Sequence, residues 1–237
     1  MIVKDKKHFS IGMILTAGFL GLFLLIISPI FGDGKNGLEY ADDLFNKLSK
    51  GSSYFIPKLS KAIEPFKGKQ FNVTVKYNST DDAQRVAKLF MSAGANVEQQ
   101  GNSLVIQGDL GNILTMIVRD SDLMYKNKGE DVRNIYGYDE KRALKDWWIS
   151  LEQMSKIFKS NKLFEESKIL EEVNKKAVEP AYNFYKIEAV KVSEKALIMA
   201  ILLVGYVIYT IWWGYSMYHL FEGIGLTAKK PKVKKEI

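Results

Sequence analysis

Two histidines, His8 and His219, and no cysteines are present in the 237-residue chain. Residues 32–195 therefore contain neither type. Zinc, copper and haem sites draw mainly on imidazole and thiolate, so the common ligand sets cannot be assembled there. Iron–sulfur clusters and covalent c-type haem are excluded for want of cysteine. A Ser-His-Asp or Cys-His nucleophile relay is excluded for the same reason. The residue types thus predict no catalytic residue, no metal site, no cofactor, and a chain that is not an enzyme.

Carboxylate chemistry is what remains. Acidic pairs occur at Asp42-Asp43, Asp81-Asp82, Asp120 with Asp122, and Glu171-Glu172. Glycoside hydrolysis needs two carboxyls facing across a cleft, and calcium needs several oxygens in one loop. None of these pairs sits in an EF-hand pattern. Asp81-Asp82 is explained by the first turn of a helix, and Glu171-Glu172 by a solvated helix face. Gly108-Asp109-Leu110-Gly111 precedes a helical pattern, as a phosphate-binding turn does, but it lacks both the GxGxxG spacing and a P-loop lysine. It reads as a strand-to-helix turn.

The aromatic residues carry a different signal. Tyr206, Tyr209, Trp212, Trp213, Tyr215, Tyr218 and Phe221 crowd one apolar stretch. An aromatic belt accounts for those near a membrane surface, whereas Tyr206 and Tyr209 lie deeper, where a phenol gains little from lipid. His219 is only three residues from Glu222 and reads as interfacial. Ala17 with Gly21, and Thr210 with Gly214, form small-xxx-small faces that let helices approach closely. Such faces serve equally for packing the two apolar segments on each other and for docking into a larger assembly. Adjacent Trp147 and Trp148 point about 100° apart on a helix, so a single core struggles to cover both. The expected partner-binding residues are therefore Trp147, Trp148, Tyr206, Tyr209, Trp212 and Trp213.

These residues must be positioned by two kinds of element. Ile11–Phe31 is a run of 21 residues without charge, and Ala196–Phe221 is a second of 26. Either can cross a hydrocarbon core. The net charge of +7 is concentrated in the tails. Residues 1–10 hold three lysines against Asp5, and 222–237 hold five against two glutamates, whereas 32–195 balance 26 basic with 24 acidic residues. That asymmetry predicts a two-pass topology with cytoplasmic tails at 1–10 and 222–237 and transmembrane helices at 11–31 and 196–221. Residues 32–195 are then an extracytoplasmic domain, expected in the periplasm of a bacterial inner membrane. The first apolar run is too long for a signal-peptide core, and no small-x-small cleavage site follows it. No basic stripe marks a nucleic-acid face.

Within the domain, Phe71, Val73, Val75 and Tyr77 alternate with polar residues as in a half-buried strand. Ser79 to Asp82 reads as a capped helix start, followed by the face Ala83, Val86, Ala87 and Phe90. Residues 96–100 and 103–107 suggest a hairpin about Gly101-Asn102, and Asp109 caps a second helix. Over 69–126 the order is β-α-β-β-α, most of a ferredoxin-like split βαβ unit without a recognisable last strand. Residues 139–187 read as a helical hairpin, and Ser193 as a cap before the second span. The expected fold is a membrane protein of α+β class.

By elimination, the function expected is that of a non-catalytic accessory or scaffold subunit of an inner-membrane complex. Its partners would be other integral membrane subunits and the lipid bilayer. The alternative is a periplasmic sensor or ligand-binding membrane protein, which would need a separate cytoplasmic partner because so little of the chain lies inside.

Overall fold

The computed structural model describes residues 3–226. It is mostly helical with one small three-stranded sheet, and it divides into two units, Asn46–Val190 and the described parts of Met1–Phe45 with Lys191–Ile237.

The second of these units holds two apolar helices, α1 (Lys6–Ile26) and α10 (Val192–Ile224), each long and apolar enough to cross a membrane. Helix α1 starts where the Asp5 carboxylate accepts the backbone N–H groups of Lys7 and His8. The apolar run expected to be helical through Phe31 stops being so at Ile26, just before Ser28-Pro29, because proline disfavours the helical conformation of the residue before it. Helix α10 begins earlier than the apolar run, at Val192. Its cap position is Lys191 with no side-chain cap, so Ser193 lies inside the helix and does not cap it. At the other end Gly225 terminates it in the left-handed conformation at φ 83°. Residues 227–237, most of the expected basic tail, lie outside the described residues.

The Asn46–Val190 unit is built on a core of apolar side chains drawn from both sheet and helices. Helix α2 (Gly37–Ser52) runs through Gly51 without interruption. Pro57 occupies the first turn of α3 (Ile56–Ile63), where its missing N–H costs nothing. Strands β1 (Gln70–Lys76), β2 (Asn96–Gln100) and β3 (Ser103–Asp109) make an antiparallel sheet of order β1-β3-β2, with Val73 opposite Ile106 and Val97 opposite the same residue on the far side. Helices α4 (Thr80–Ser92) and α5 (Leu110–Tyr125) are capped by Ser79, which accepts from Asp82 N–H, and Asp109, which accepts from Asn112 N–H. Helix α6 (Gly129–Tyr136) precedes α7 (Glu140–Ser160), and α8 (Phe164–Val173) runs back along α7, as the Ser155–Ser167 and Trp148–Glu179 hydrogen bonds require. A π-helical segment, Asn174–Val178, joins α8 to the short α9 (Glu179–Asn183).

Candidate interaction surfaces

The two adjacent tryptophans part company. Trp147 is fully buried, edge-on to Phe90 at 5.1 Å, and its indole N–H donates to Asp120 Oδ2 at 3.0 Å. The Tyr136 hydroxyl donates to the same oxygen, and Arg119 Nη2 donates to Oδ1 at 3.2 Å. Burial pushes the Asp120 carboxyl above its ordinary range, and the three donors partly offset it. Trp147, one of the residues expected to meet a partner, therefore lies packed in the core of the domain. An (i, i+4) series through Ala143, Trp147 and Leu151 puts it on the inner face of α7.

Trp148 is only partly buried. Its N–H donates to Glu179 Oε1 at 3.1 Å, and its ring forms a wall shared by two depressions. One, of about 220 Å³, is largely apolar and includes Leu144, Val178 and Tyr182. The other, of about 420 Å³, includes Leu151, Lys156 and Asn174. Asn174, 8% exposed, opens the π-helical segment and donates weakly to the Trp148 carbonyl at 3.4 Å, while its side-chain oxygen has no partner among the described residues. Irregular helix of this kind is concentrated at functional positions.

The acidic residues singled out above are largely engaged in holding the domain together. Asp82 pairs with Arg85 and with Arg142, the latter at 2.7 Å. Asp122 accepts from Tyr54 at 2.8 Å and pairs with Lys126 at 2.6 Å, and Glu171 accepts from Ser155 at 2.9 Å and pairs with Lys159. Asp43 pairs with Lys35 at 3.1 Å. Two further buried carboxylates carried no sequence signal. Asp146 pairs with Arg85 at 3.3 Å; Arg142 Nε is 3.2 Å from its other oxygen but misaligned for a hydrogen bond. Burial raises its carboxyl despite both guanidinium groups. Glu140 accepts from Arg133 Nε and the Tyr185 hydroxyl, each at 2.9 Å. Burial opposes its ionisation, and the hydrogen bonds from its own backbone, Arg133 and Tyr185 outweigh that and hold it below the usual range.

Gly111, in the turn that resembled a phosphate loop, sits against backbone: a Cβ there would lie 2.5 Å from Lys67 N. Close packing explains this glycine. Among the described residues no group of three or more His, Asp or Glu is placed to hold a metal ion.

Lys50 is a buried cation that sequence reasoning missed, since one lysine among many in a helix carries no distinguishing pattern. Its amine donates to Asn127 Oδ1 at 2.9 Å, Phe184 O at 3.0 Å and Ile187 O at 2.5 Å. The Tyr125 hydroxyl donates to the Lys50 carbonyl, and Val190 N–H donates to Lys47 O at 3.1 Å. Burial lowers the amine below its ordinary value. This clamp fastens residues 184–190 to the end of α2.

In the helix pair the expected aromatic residues again divide. Trp212 N–H donates to Leu15 O at 3.0 Å, and Tyr209 stacks on Phe19 at 4.1 Å with its hydroxyl 3.4 Å from Phe19 O. Both are spent within the chain. Thr16 and Ser216 hydroxyls meet at 2.5 Å, and a Cβ on Gly12 or Gly223 would lie 2.7 Å from Leu220 N or Phe9. Tyr206 is 69% exposed, whereas Trp213, 40% exposed, also packs on Phe19 of α1 with ring centroids 4.7 Å apart. A Cβ on Gly214 would meet nothing within 4 Å, so the Thr210–Gly214 face is open. His8 and His219 are also brought together, with Nδ1 atoms 2.9 Å apart.

Comparison with protein-family models, with curated proteins and with solved structures finds no match to this chain.

Proposed function

We propose that this chain is a non-catalytic accessory or scaffold subunit of a membrane protein complex. In this reading α1 and α10 both cross an inner membrane, the lysine-rich tails stay in the cytoplasm, and residues 32–195 form a periplasmic domain. The β1-α4-β2-β3-α5 unit would be a ferredoxin-like platform carrying the helical hairpin. Docking would use the outward face of α10, with Tyr206 and Trp213, together with the Trp148 depressions on the domain.

The observation that carries the reading is the division of aromatic residues along α10. Tyr209 and Trp212 already seal the seam with α1, yet Tyr206 remains exposed and, among the described residues, nothing accepts its hydroxyl proton. A phenol at mid-membrane depth facing lipid alone leaves a polar group unsatisfied, which is costly in hydrocarbon. A neighbouring protein surface supplies both the acceptor and the packing. The test is purification of tagged full-length chain in mild detergent, with native-gel mass and cross-linking compared between wild type and Tyr206→Leu/Trp213→Leu. The expected result is a high-mass complex that the double variant leaves. A wild-type monomer with no cross-linked partner would sink the proposal.

A second reading, a periplasmic sensor, is favoured by one feature. A polar opening of about 630 Å³ is lined by Asn127, Tyr185 and Lys186, residues of or beside the clamp that fastens the segment before α10. A ligand there would act on that clamp.

A further inference from the structure

We propose that His8 and His219 share one proton in an Nδ1–H···Nδ1 hydrogen bond that latches the first turn of α1 to the closing turns of α10, and that a second proton opens the latch. The two residues are 211 positions apart and are the chain's whole complement of histidine, yet their Nδ1 atoms lie 2.9 Å from each other. Their rings are tilted by 31° with centroids 5.0 Å apart.

A hydrogen bond between two Nδ1 atoms fixes the protonation of both rings. One must donate from Nδ1, and the other must be neutral, with its proton on Nε2 and its Nδ1 lone pair free. The donor ring can take a further proton on its own Nε2 without disturbing the contact, and the bond then becomes charge-assisted. The acceptor ring cannot. Its only free site is the lone pair in use, so the next proton leaves two N–H donors, on two cations, facing each other.

The surroundings prevent an easy escape. On one side of the pair Gly12 lies against the backbone of Leu220, and on the other Gly223 lies against Phe9, so the helices touch nearly backbone to backbone. Lys4 and Asp5 N–H groups both donate to Gly223 O, at 2.9 and 3.0 Å. The Tyr218 ring stands edge-on to His8 and to His219, and the Tyr215 ring edge-on to His219. Among the described residues the negative charges near the pair are Asp5, which attracts His8 electrostatically, and Glu222, one turn beyond His219. On α1 the Asp5 carboxylate is engaged by Lys7 and His8 N–H, and Lys4, Lys6 and Lys7 add positive charge. On α10 the ionisable neighbours are the two phenols and Glu222, one turn beyond His219. Neither carboxylate lies between the two Nδ1 atoms, so two N–H donors facing each other at 2.9 Å have no acceptor there, and between helices packed this closely they separate by parting the helix ends. This inference does not depend on the docking proposal above.

The chain's composition makes the test direct. Full-length protein labelled with ¹⁵N only at histidine, in lipid nanodiscs with a chelator present, yields four ring-nitrogen signals. The expected result is a through-bond N–N coupling linking the two rings at alkaline pH, lost on progressive acidification. Over the same range, spin labels at Ser10→Cys and Phe221→Cys should separate by about 2 Å, the scale of a helix shift. In a His219→Asn background, which cannot gain the charge, the label separation should be independent of pH. No coupling at any pH, an unchanged label separation, or an identical acid response in His219→Asn would each overturn the proposal. The coupling measurement uses the unmodified chain, so it decides even if a variant fails to fold.

Discussion

Trp147 and Asp120 are joined in the centre of the domain by an indole N–H that donates to the carboxylate at 3.0 Å, with Tyr136 donating to the same oxygen. Replacing Asp120 by Ala strands both donors in a dry core. The expected cost is about 3 kcal/mol of unfolding free energy, measured by denaturant titration of the full chain in mild detergent. Asp120→Asn retains an acceptor and should cost clearly less.

The same carboxyl gives a pH dependence with a defined sign. Burial raises it above its ordinary value of 3.8, so the folded state holds this proton more tightly than the unfolded state does. The stability this contributes is present below 3.8 and is lost as pH rises through the folded-state value. Wild type should therefore lose ground to Asp120→Asn as pH rises from acid towards neutrality. Paired melts of the two proteins at several pH values measure this, and a constant difference would contradict it.

Lys50→Met removes the amine that ties Asn127, Phe184 and Ile187 together, and each of the three oxygens keeps only its other donor, from Lys186 N–H, Ile187 N–H and the Asn127 amide respectively. We expect a loss of about 2–4 kcal/mol near neutral pH. Faster amide exchange should be confined first to residues 184–190, because the clamp acts there. Burial lowers the amine below 10.5, so the unfolded chain binds this proton more tightly; wild-type stability should rise relative to Lys50→Met as pH climbs towards 10.5.

Trp147→Ala and Trp148→Ala should separate folding from docking. The first opens a large cavity in the core and should cost about 3–5 kcal/mol. The second removes a partly exposed ring and should cost less than half as much, while reducing recovery of the partner in mild-detergent pull-downs. Equal losses of stability with no change in partner recovery would count against a docking role for Trp148.

Along the helix pair, Gly12→Leu and Gly223→Leu must push backbone away from backbone, since even a Cβ would come within 2.7 Å of the facing helix. Both should lower the efficiency of cross-linking between α1 and α10. Gly214→Leu, placed where a Cβ meets nothing within 4 Å, should leave that cross-link intact and instead weaken any complex that uses this face.

Much of the local structure was legible in the sequence because it is set by local physics. Alternation along Phe71–Tyr77 identified β1, and Gly101-Asn102 identified the turn between β2 and β3. Ser79 and Asp109 marked the starts of α4 and α5 through their capping side chains. The two apolar helices were visible from length and absence of charge alone. Their ends were not, because fraying, the Ser28-Pro29 stop and the polar extension of α10 depend on backbone geometry that hydropathy does not register.

What composition settled by itself is the chemistry denied to residues 32–195, where no imidazole or thiolate is available in any conformation. Tertiary structure alone decided which of two identical residue types did what. It sent Trp147 into the core and left Trp148 at the edge, spent Tyr209 on Phe19 and left Tyr206 outside, and turned an unremarked Lys50 into a clamp. It also placed His8 against His219 across 211 positions. The physical reason is common to all four. A side chain's role depends on which partner occupies the space beside it, and for pairs this distant in sequence that partner is chosen by packing between elements, which no local pattern encodes.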